Sequence, residues 1–348
     1  MNEQHEATSP DTPPSLAMLR MISGFRVSRA IYIAAKLGLA DLLKDGPKHT
    51  EQLAEATRMH APSLYRVMRA LASVGIFAEE PQGRFTLTPI AATLQSDVPG
   101  SLRAWAILVL GEEHYRSWGD SMHSVRTGES AFTHTFGMGV WQYRAQNPER
   151  AKIFDEAMAN LVGVYNSAVL ASYSFSSIEK LVDVGGGDGS LIIAILQKEP
   201  KMKGVLFDLP HVTEKAKQKI AEAGLSGRCE IVAGDAFDSV PSGADAYILS
   251  RVINSFDDKR AITILQSCHR AIQGKGKLLL LERVVPDRVE HSVAAQGPVM
   301  SDLNLLVIGG GRERTATEHR MLLESAGFTL TGIFPTQAEV CVILAEPA

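Results

Sequence analysis

Lys180-Leu181-Val182-Asp183-Val184-Gly185-Gly186-Gly187-Asp188-Gly189-Ser190 constrains the fold of this chain more than any other stretch. Residues 181–184 form a short apolar run that ends in glycines, the pattern of a buried parallel strand. Leu191-Ile192-Ile193-Ala194-Ile195-Leu196 then reads as a helix packed on that strand. Glycines at a strand-to-helix turn let the backbone pass close to a ligand, and the helix start offers unsatisfied N–H groups to a carboxylate or phosphate. Past that helix, Val205-Leu206-Phe207-Asp208-Leu209 places an acid at the tip of the next strand, where it can hold a ribose diol. The pattern predicts an α/β sheet that binds a nucleoside.

The spacing selects among nucleosides. A dinucleotide fingerprint needs G-x-G-x-x-G, but Gly185, Gly187 and Gly189 run G-x-G-x-G, and Ser190 stands where the third glycine belongs. Gly234-Asp235-Ala236-Phe237 follows at the end of a third apolar run. A glycine-rich turn alone is an ordinary tight turn. With Asp208 and Gly234-Asp235-Ala236-Phe237 in register, it resembles the S-adenosylmethionine site of class I methyltransferases.

A chain of 348 residues is long for one core and suits two domains. A net charge of −4 argues against nucleic acid as a partner, because phosphate binding draws on clustered Lys and Arg. The polar start Met1-Asn2-Glu3-Gln4-His5-Glu6 lacks an apolar leader core, and no apolar run reaches membrane-spanning length. These features predict a cytoplasmic protein with no membrane partner. Cys229, Cys268 and Cys341 are odd in number and widely spaced, so they read as packing residues without a disulfide framework or zinc cluster.

Residues 1–14, with Pro10, Pro13 and Pro14 among polar residues, read as a disordered tail. A domain over 15–100 begins with helical periodicity through Leu16, Leu19, Ile22, Val27 and Ile31 and an alanine-rich stretch over 34–43. Thr50 is the expected cap of a helix to Ala56, and Pro62 opens another that ends at Gly75. Residues 77–80 and 84–87, joined by Pro81-Gln82-Gly83, form a hairpin. Helices followed by a hairpin make a winged helix. That invites a DNA-binding reading through Arg66 and Arg69, against which the acidic chain weighs. The other reading buries the apolar face over 22–43 against a second copy, giving a homodimer. A helical linker over 101–171 carries His114, Trp118, Phe154 and Met158, side chains suited to a small-molecule pocket. Over 172–348 strands at 181–185, 205–209, 229–233, 246–253 and 277–285 alternate with helices at 189–198, 212–224 and 258–272. Residues 329–334 and 339–345 are separated by too few residues for a parallel crossover and pair antiparallel. The expected fold is a doubly wound, Rossmann-like seven-stranded sheet.

From residue 15 to its end the chain resembles the dimeric small-molecule O-methyltransferases that include the plant caffeic acid and animal hydroxyindole enzymes and bacterial antibiotic-tailoring enzymes. The resemblance rests on the glycine turn, Phe207-Asp208-Leu209-Pro210-His211-Val212, Gly234-Asp235-Ala236-Phe237, Glu282-Arg283-Val284-Val285-Pro286 and Gly310-Gly311-Arg312-Glu313-Arg314-Thr315. It implies that Asp208 takes the ribose hydroxyls, Asp235 and Phe237 the adenine side, and Gly185 and Ser250 the methionine portion of the cofactor. Gly187, Leu209, Ala236 and Arg251 complete that side, while Met300 and Asn304 join His114, Trp118, Phe154 and Met158 around the substrate. Glu282 and Glu313 match the two acids that flank the family's catalytic histidine.

That histidine is missing. Ser250-Arg251-Val252-Ile253-Asn254-Ser255-Phe256-Asp257-Asp258 aligns with the family's His-Asp-Trp segment and puts Asn254 at the histidine, where an amide cannot accept a proton near neutral pH. Three readings follow: an acidic hydroxyl that needs only positioning, another base such as His114 or His291, or bound S-adenosylmethionine whose methyl is not transferred to oxygen. The last covers C- or N-methylation, hydroxylation, decarboxylation and pericyclic reactions. His291 also raises metal binding, but relatives that hold iron use a His-Asp pair where this chain has Asn254-Ser255, so no metal is expected.

Overall fold

The computed structural model describes residues 12–272 and 276–348, apart from the side chains of Val164 and Val293. It divides into two compact units: residues up to Tyr115 together with Glu149–Asn160, and Arg116–Pro148 together with Leu161–Ala348. Residues 1–11 of the expected tail lie outside the described residues, and the first helix, Pro14–Leu37, begins within the rest of it.

In the first unit, Pro14–Leu37 is followed by helices Thr50–Thr57 and Ala61–Ala72 and by strands β1 (Lys48–His49), β2 (Phe77–Glu80) and β3 (Arg84–Leu87). β3 pairs antiparallel with both others, so the expected hairpin is present, with β1 as a third strand. Thr50 is not the cap. His49 occupies that position and shares a capping box with Gln52, so Thr50 is the first helical residue. The alanine-rich stretch also departs from expectation. Ala30, Ala34, Leu39 and Leu43 are buried in the unit's own core with Leu53, Met68 and Phe85. The apolar surface of this helix lies earlier, at Leu16, Met18, Leu19, Met21, Ile22 and Phe25, all more than 40% exposed. Alanines let neighbouring helices pack closely, and Ala34, Ala35, Leu39, Ala40 and Leu43 of this stretch turn inward while Ile33 stays exposed.

The second unit holds β4 (Lys180–Val184), β5 (Lys203–Asp208), β6 (Cys229–Ala233), β7 (Ala246–Ser250), β8 (Lys277–Glu282), the short β9 (Val284–Val285) and β10 (Arg314–Thr315), then β11 (Phe328–Pro335) and β12 (Cys341–Pro347). Seven of these form one sheet in the order β11-β12-β8-β7-β4-β5-β6. β4 to β8 run parallel, and β12 pairs antiparallel with both β11 and β8. Apolar side chains fill both faces, with Val182, Val205, Tyr247 and Leu280 on one and Leu181, Leu206, Ile248 and Leu279 on the other. This two-sided burial explains why the strands read as continuous apolar runs.

Two strands are shorter than expected. β7 stops at Ser250 because Arg251 takes φ +58°, and a 3-10 turn over Ile253–Ser255 follows. β8 stops at Glu282, and Val284–Val285 leaves the sheet to pair in parallel with Arg314–Thr315. Both breaks fall at the carboxyl ends of parallel strands, where open α/β sheets bind ligands. No described helix is long and apolar enough to cross a membrane.

Candidate active site

Asp208 ends β5, and its Oδ2 accepts the Gly187 N–H at 2.8 Å while Oδ1 accepts that of Leu209 at 2.6 Å. Two main-chain donors thus fix the carboxylate and leave lone pairs for a diol. Gly187 sits at φ +59°, and a Cβ built there would meet nothing within 4 Å. The glycine therefore serves no packing need; its left-handed backbone faces open space suited to a ligand. Beneath the turn, Asp183 is buried with neither carboxylate oxygen hydrogen-bonded among the described residues. Burial, then the charges of Asp208 and Asp188, raise its pKa to about 7. Burial would also raise Asp188, but its ion pair with Lys219 and the N–H of Ser190 hold it below the usual range.

At the end of β6, Asp235 Oδ1 accepts the Phe237 N–H at 2.9 Å. Phe237 packs edge-on against Phe256 at 5.2 Å, and the Arg260 guanidinium lies 4.7 Å from both rings. Such an aromatic cluster beside an acid suits a nucleobase.

On the other side of β7 lies a buried charge network. Glu313 Oε1 accepts the Ser301 hydroxyl at 2.8 Å and Arg251 Nη1 at 3.2 Å, with Arg283 Nη1 at 3.7 Å. Arg283 reaches Ser301, Tyr165 and Glu339, each at 2.8 Å. Glu282 is buried with both carboxylate oxygens lacking a hydrogen bond among the described residues. Burial drives its pKa to about 8; Arg251 opposes the rise and Glu313 adds to it. Asn254 is buried and its Oδ1 also lacks a partner among the described residues. Arg314, 1% exposed, donates to the carbonyls of Ile253 and Phe256 and to Asp258, and so holds the loop that carries Asn254.

The sequence matches the O-methyltransferase domain over residues 118–329 and the O-methyltransferase dimerisation domain over residues 19–97. The chain belongs to the O-methyltransferase family. It is 43% identical to a phenazine O-methyltransferase of Lysobacter antibioticus over the full length of both chains. The crystal structure of LaPhzM, also 43% identical, superposes with a TM-score of 0.90 over 97% of this chain and 100% of that one. An O-methyltransferase from neocarzinostatin biosynthesis, solved with S-adenosylmethionine and 2-hydroxy-5-methyl naphthoic acid, is 30% identical with a TM-score of 0.81, covering 95% of this chain and 98% of its own. This chain is an S-adenosylmethionine-dependent methyltransferase.

Within this O-methyltransferase, the expected cofactor residues Gly185, Gly187, Asp208 and Leu209 gather at the ends of β4 and β5, and Asp235, Ala236 and Phe237 at the end of β6. The Gly187 opening, the fixed Asp208 carboxylate and the bare Asp183 oxygens fit the cofactor. Arg251, grouped with the cofactor in the sequence, has its side chain paired with Glu313. Trp118 donates its indole N–H to Asn304 Oδ1 at 3.0 Å, and Met300 is exposed one turn earlier on the helix Val293–Ile308. These three belong to the second unit; His114, Phe154 and Met158 belong to the first, where Phe154 and Met158 pack against Ala104, Leu108 and Ala157. His291 is exposed.

Arg283, Ser301, Tyr165, Arg314 and the Phe256–Arg260 contact were not singled out from sequence, because their pairings join distant segments. Asp183 was detectable, since a charge inside an apolar strand demands a reason. His319 is likewise buried without a ring hydrogen bond among the described residues, and burial, then Arg314, lower its pKa to about 4.

Proposed function

We propose that this enzyme methylates the oxygen of an acidic hydroxyl on a small aromatic or polyketide-like metabolite, with Asn254 orienting that oxygen in place of a base. The observation that carries the reading is a buried asparagine between the two acid-bearing segments that in relatives flank a histidine. S-adenosylmethionine, when bound, supplies a methyl group already activated on a sulfonium. The protein then has to bring a nucleophile into line, and orientation of this kind can supply about 7–11 kcal/mol of the barrier.

Glu282, with its raised pKa of about 8, is mostly protonated at neutral pH and can donate a hydrogen bond to an amide oxygen. Donation to Asn254 Oδ1 would leave the Asn254 N–H groups to hold the acceptor oxygen. An acceptor that arrives ionised needs no base, because the methyl moves to the oxyanion without a proton transfer. On the cofactor side Asp208 holds the ribose, Asp235 and Phe237 the adenine end, and Gly185, Gly187 and Ser250 the methionine portion. Leu209 and Ala236 line the same edge. Trp118, Met300 and Asn304, all in the second unit, contribute to substrate binding.

We further propose a cytoplasmic homodimer joined through the exposed apolar residues between Leu16 and Phe25; light scattering should give twice the 37.7 kDa chain mass. The monomer mass at micromolar concentration would refute it. The reaction is tested with methyl-labelled cofactor and a panel of hydroxyquinones, phenols and amines. Label on the oxygen of acidic hydroxyls supports the reading; label only on nitrogen or carbon, or none, overturns it.

A further inference from the structure

Arg251 follows β7 directly and adopts φ +58°, a left-handed conformation rare for a residue with a side chain. Such backbone persists where its surroundings over-determine it, and it clusters at ligand sites. The guanidinium lies on the β8 side of β7, against Glu313 and within the field of Glu282. The glycine turn after β4 and Asp208 after β5 lie on the other side of β7.

Three features leave Arg251 able to bind an anion. Its main-chain N–H donates to the Leu281 carbonyl, but among the described residues its side chain makes one hydrogen bond, from Nη1 to Glu313 at 3.2 Å, and is 25% exposed. An arginine has five N–H donors in a planar fork that matches a carboxylate. Glu313 does not depend on Arg251, because Ser301 donates to the same oxygen and Arg283 stands 3.7 Å away. Glu282 is mostly protonated at neutral pH, so it places no second full negative charge against an incoming anion. Asn304, three residues after Ser301 and therefore on the same helix face, has its Oδ1 occupied by Trp118 and offers a ligand its N–H end.

We propose that Arg251 recognises the substrate and not the cofactor, binding a carboxylate carried by the aromatic acceptor. The proposal rests on the reading that the acceptor is a small aromatic. It makes Arg251 a specificity-determining residue that prefers aromatic hydroxy acids to their neutral counterparts.

Calorimetry on protein saturated with S-adenosylhomocysteine tests this, with 1-hydroxy-2-naphthoate and its methyl ester as probes. Wild type should bind the acid roughly 10- to 100-fold more tightly than the ester, the range expected of a charge-assisted hydrogen bond. Arg251→Asn, a residue that tolerates left-handed backbone, should erase the preference and leave S-adenosylhomocysteine affinity unchanged. Arg251→Lys keeps the charge and should retain part of it. Equal binding of acid and ester by wild type, no binding of the acid, or weakened S-adenosylhomocysteine binding in Arg251→Asn overturns the proposal. The readout is binding, so it separates from the reaction: absence of label on oxygen counts against O-methylation, and absence of the acid preference counts against Arg251.

Discussion

The main-chain N–H of Arg312 donates to the main-chain carbonyl of Asn254 at 2.9 Å. Gly311 makes that approach possible, because a Cβ there would lie 2.2 Å from the same oxygen. The obstacle is backbone and cannot rotate away. Gly311→Ala should therefore push the Asn254 loop from the segment that carries Glu313, lowering both the melting temperature and kcat. A 1 Å misplacement can cost on the order of 10²-fold in rate. Unchanged melting and kcat would show that this contact does not position Asn254.

Asp208 is the second test. Replacing it with Ala removes the fixed carboxylate at the tip of β5 and its bond to Gly187. Charge-assisted hydrogen bonds contribute about 1.5–3 kcal/mol each, so the affinity for S-adenosylhomocysteine should fall by at least about tenfold in calorimetry. Undiminished affinity would remove Asp208 from the cofactor site.

Glu282 gives a pH-dependent test of stability. Its folded pKa of about 8 lies above the ordinary 4.5, so between those values the folded state keeps a proton that the unfolded state has lost. Stability from this group is complete below about pH 4.5 and declines as pH rises toward 8. Glu282→Gln cannot ionise. Its melting temperature should stay close to wild type near pH 4.5 and exceed it increasingly up to about pH 8. Parallel melting curves across that range would mean that Glu282 ionises normally.

Much of this was legible in the sequence because it depends on local pattern. The glycine turn, Asp208 at a strand tip and the short link between the last two strands each carry their geometry in adjacent residues, and β4, β5 and the β11–β12 pair follow. Strand ends were less legible. Nothing local in Ser250-Arg251-Val252 announces a left-handed Arg251, and β7 was expected to continue to 253. Alanines over 31–43 suit either a partner or the chain's own helices, and only tertiary packing decides between them. The Arg251, Arg283 and Arg314 network joins segments far apart in sequence, so its members could be named as charged residues but not paired.

On the proposed mechanism Asn254 orients an already acidic nucleophile and does not remove a proton. The most direct test is the methylation rate of wild type, Asn254→Ala and Asn254→His over acceptors that run from acidic hydroxyquinones to simple phenols of pKa about 10. Asn254→Ala should lose modest rate, consistent with one neutral hydrogen bond of about 0.5–1.5 kcal/mol. Asn254→His should match wild type on acidic hydroxyls and accelerate methylation of simple phenols, because it restores a base beside Glu282 and Glu313. Abolished turnover of every acceptor by Asn254→Ala, or no gain on simple phenols by Asn254→His, would contradict an orienting role for Asn254.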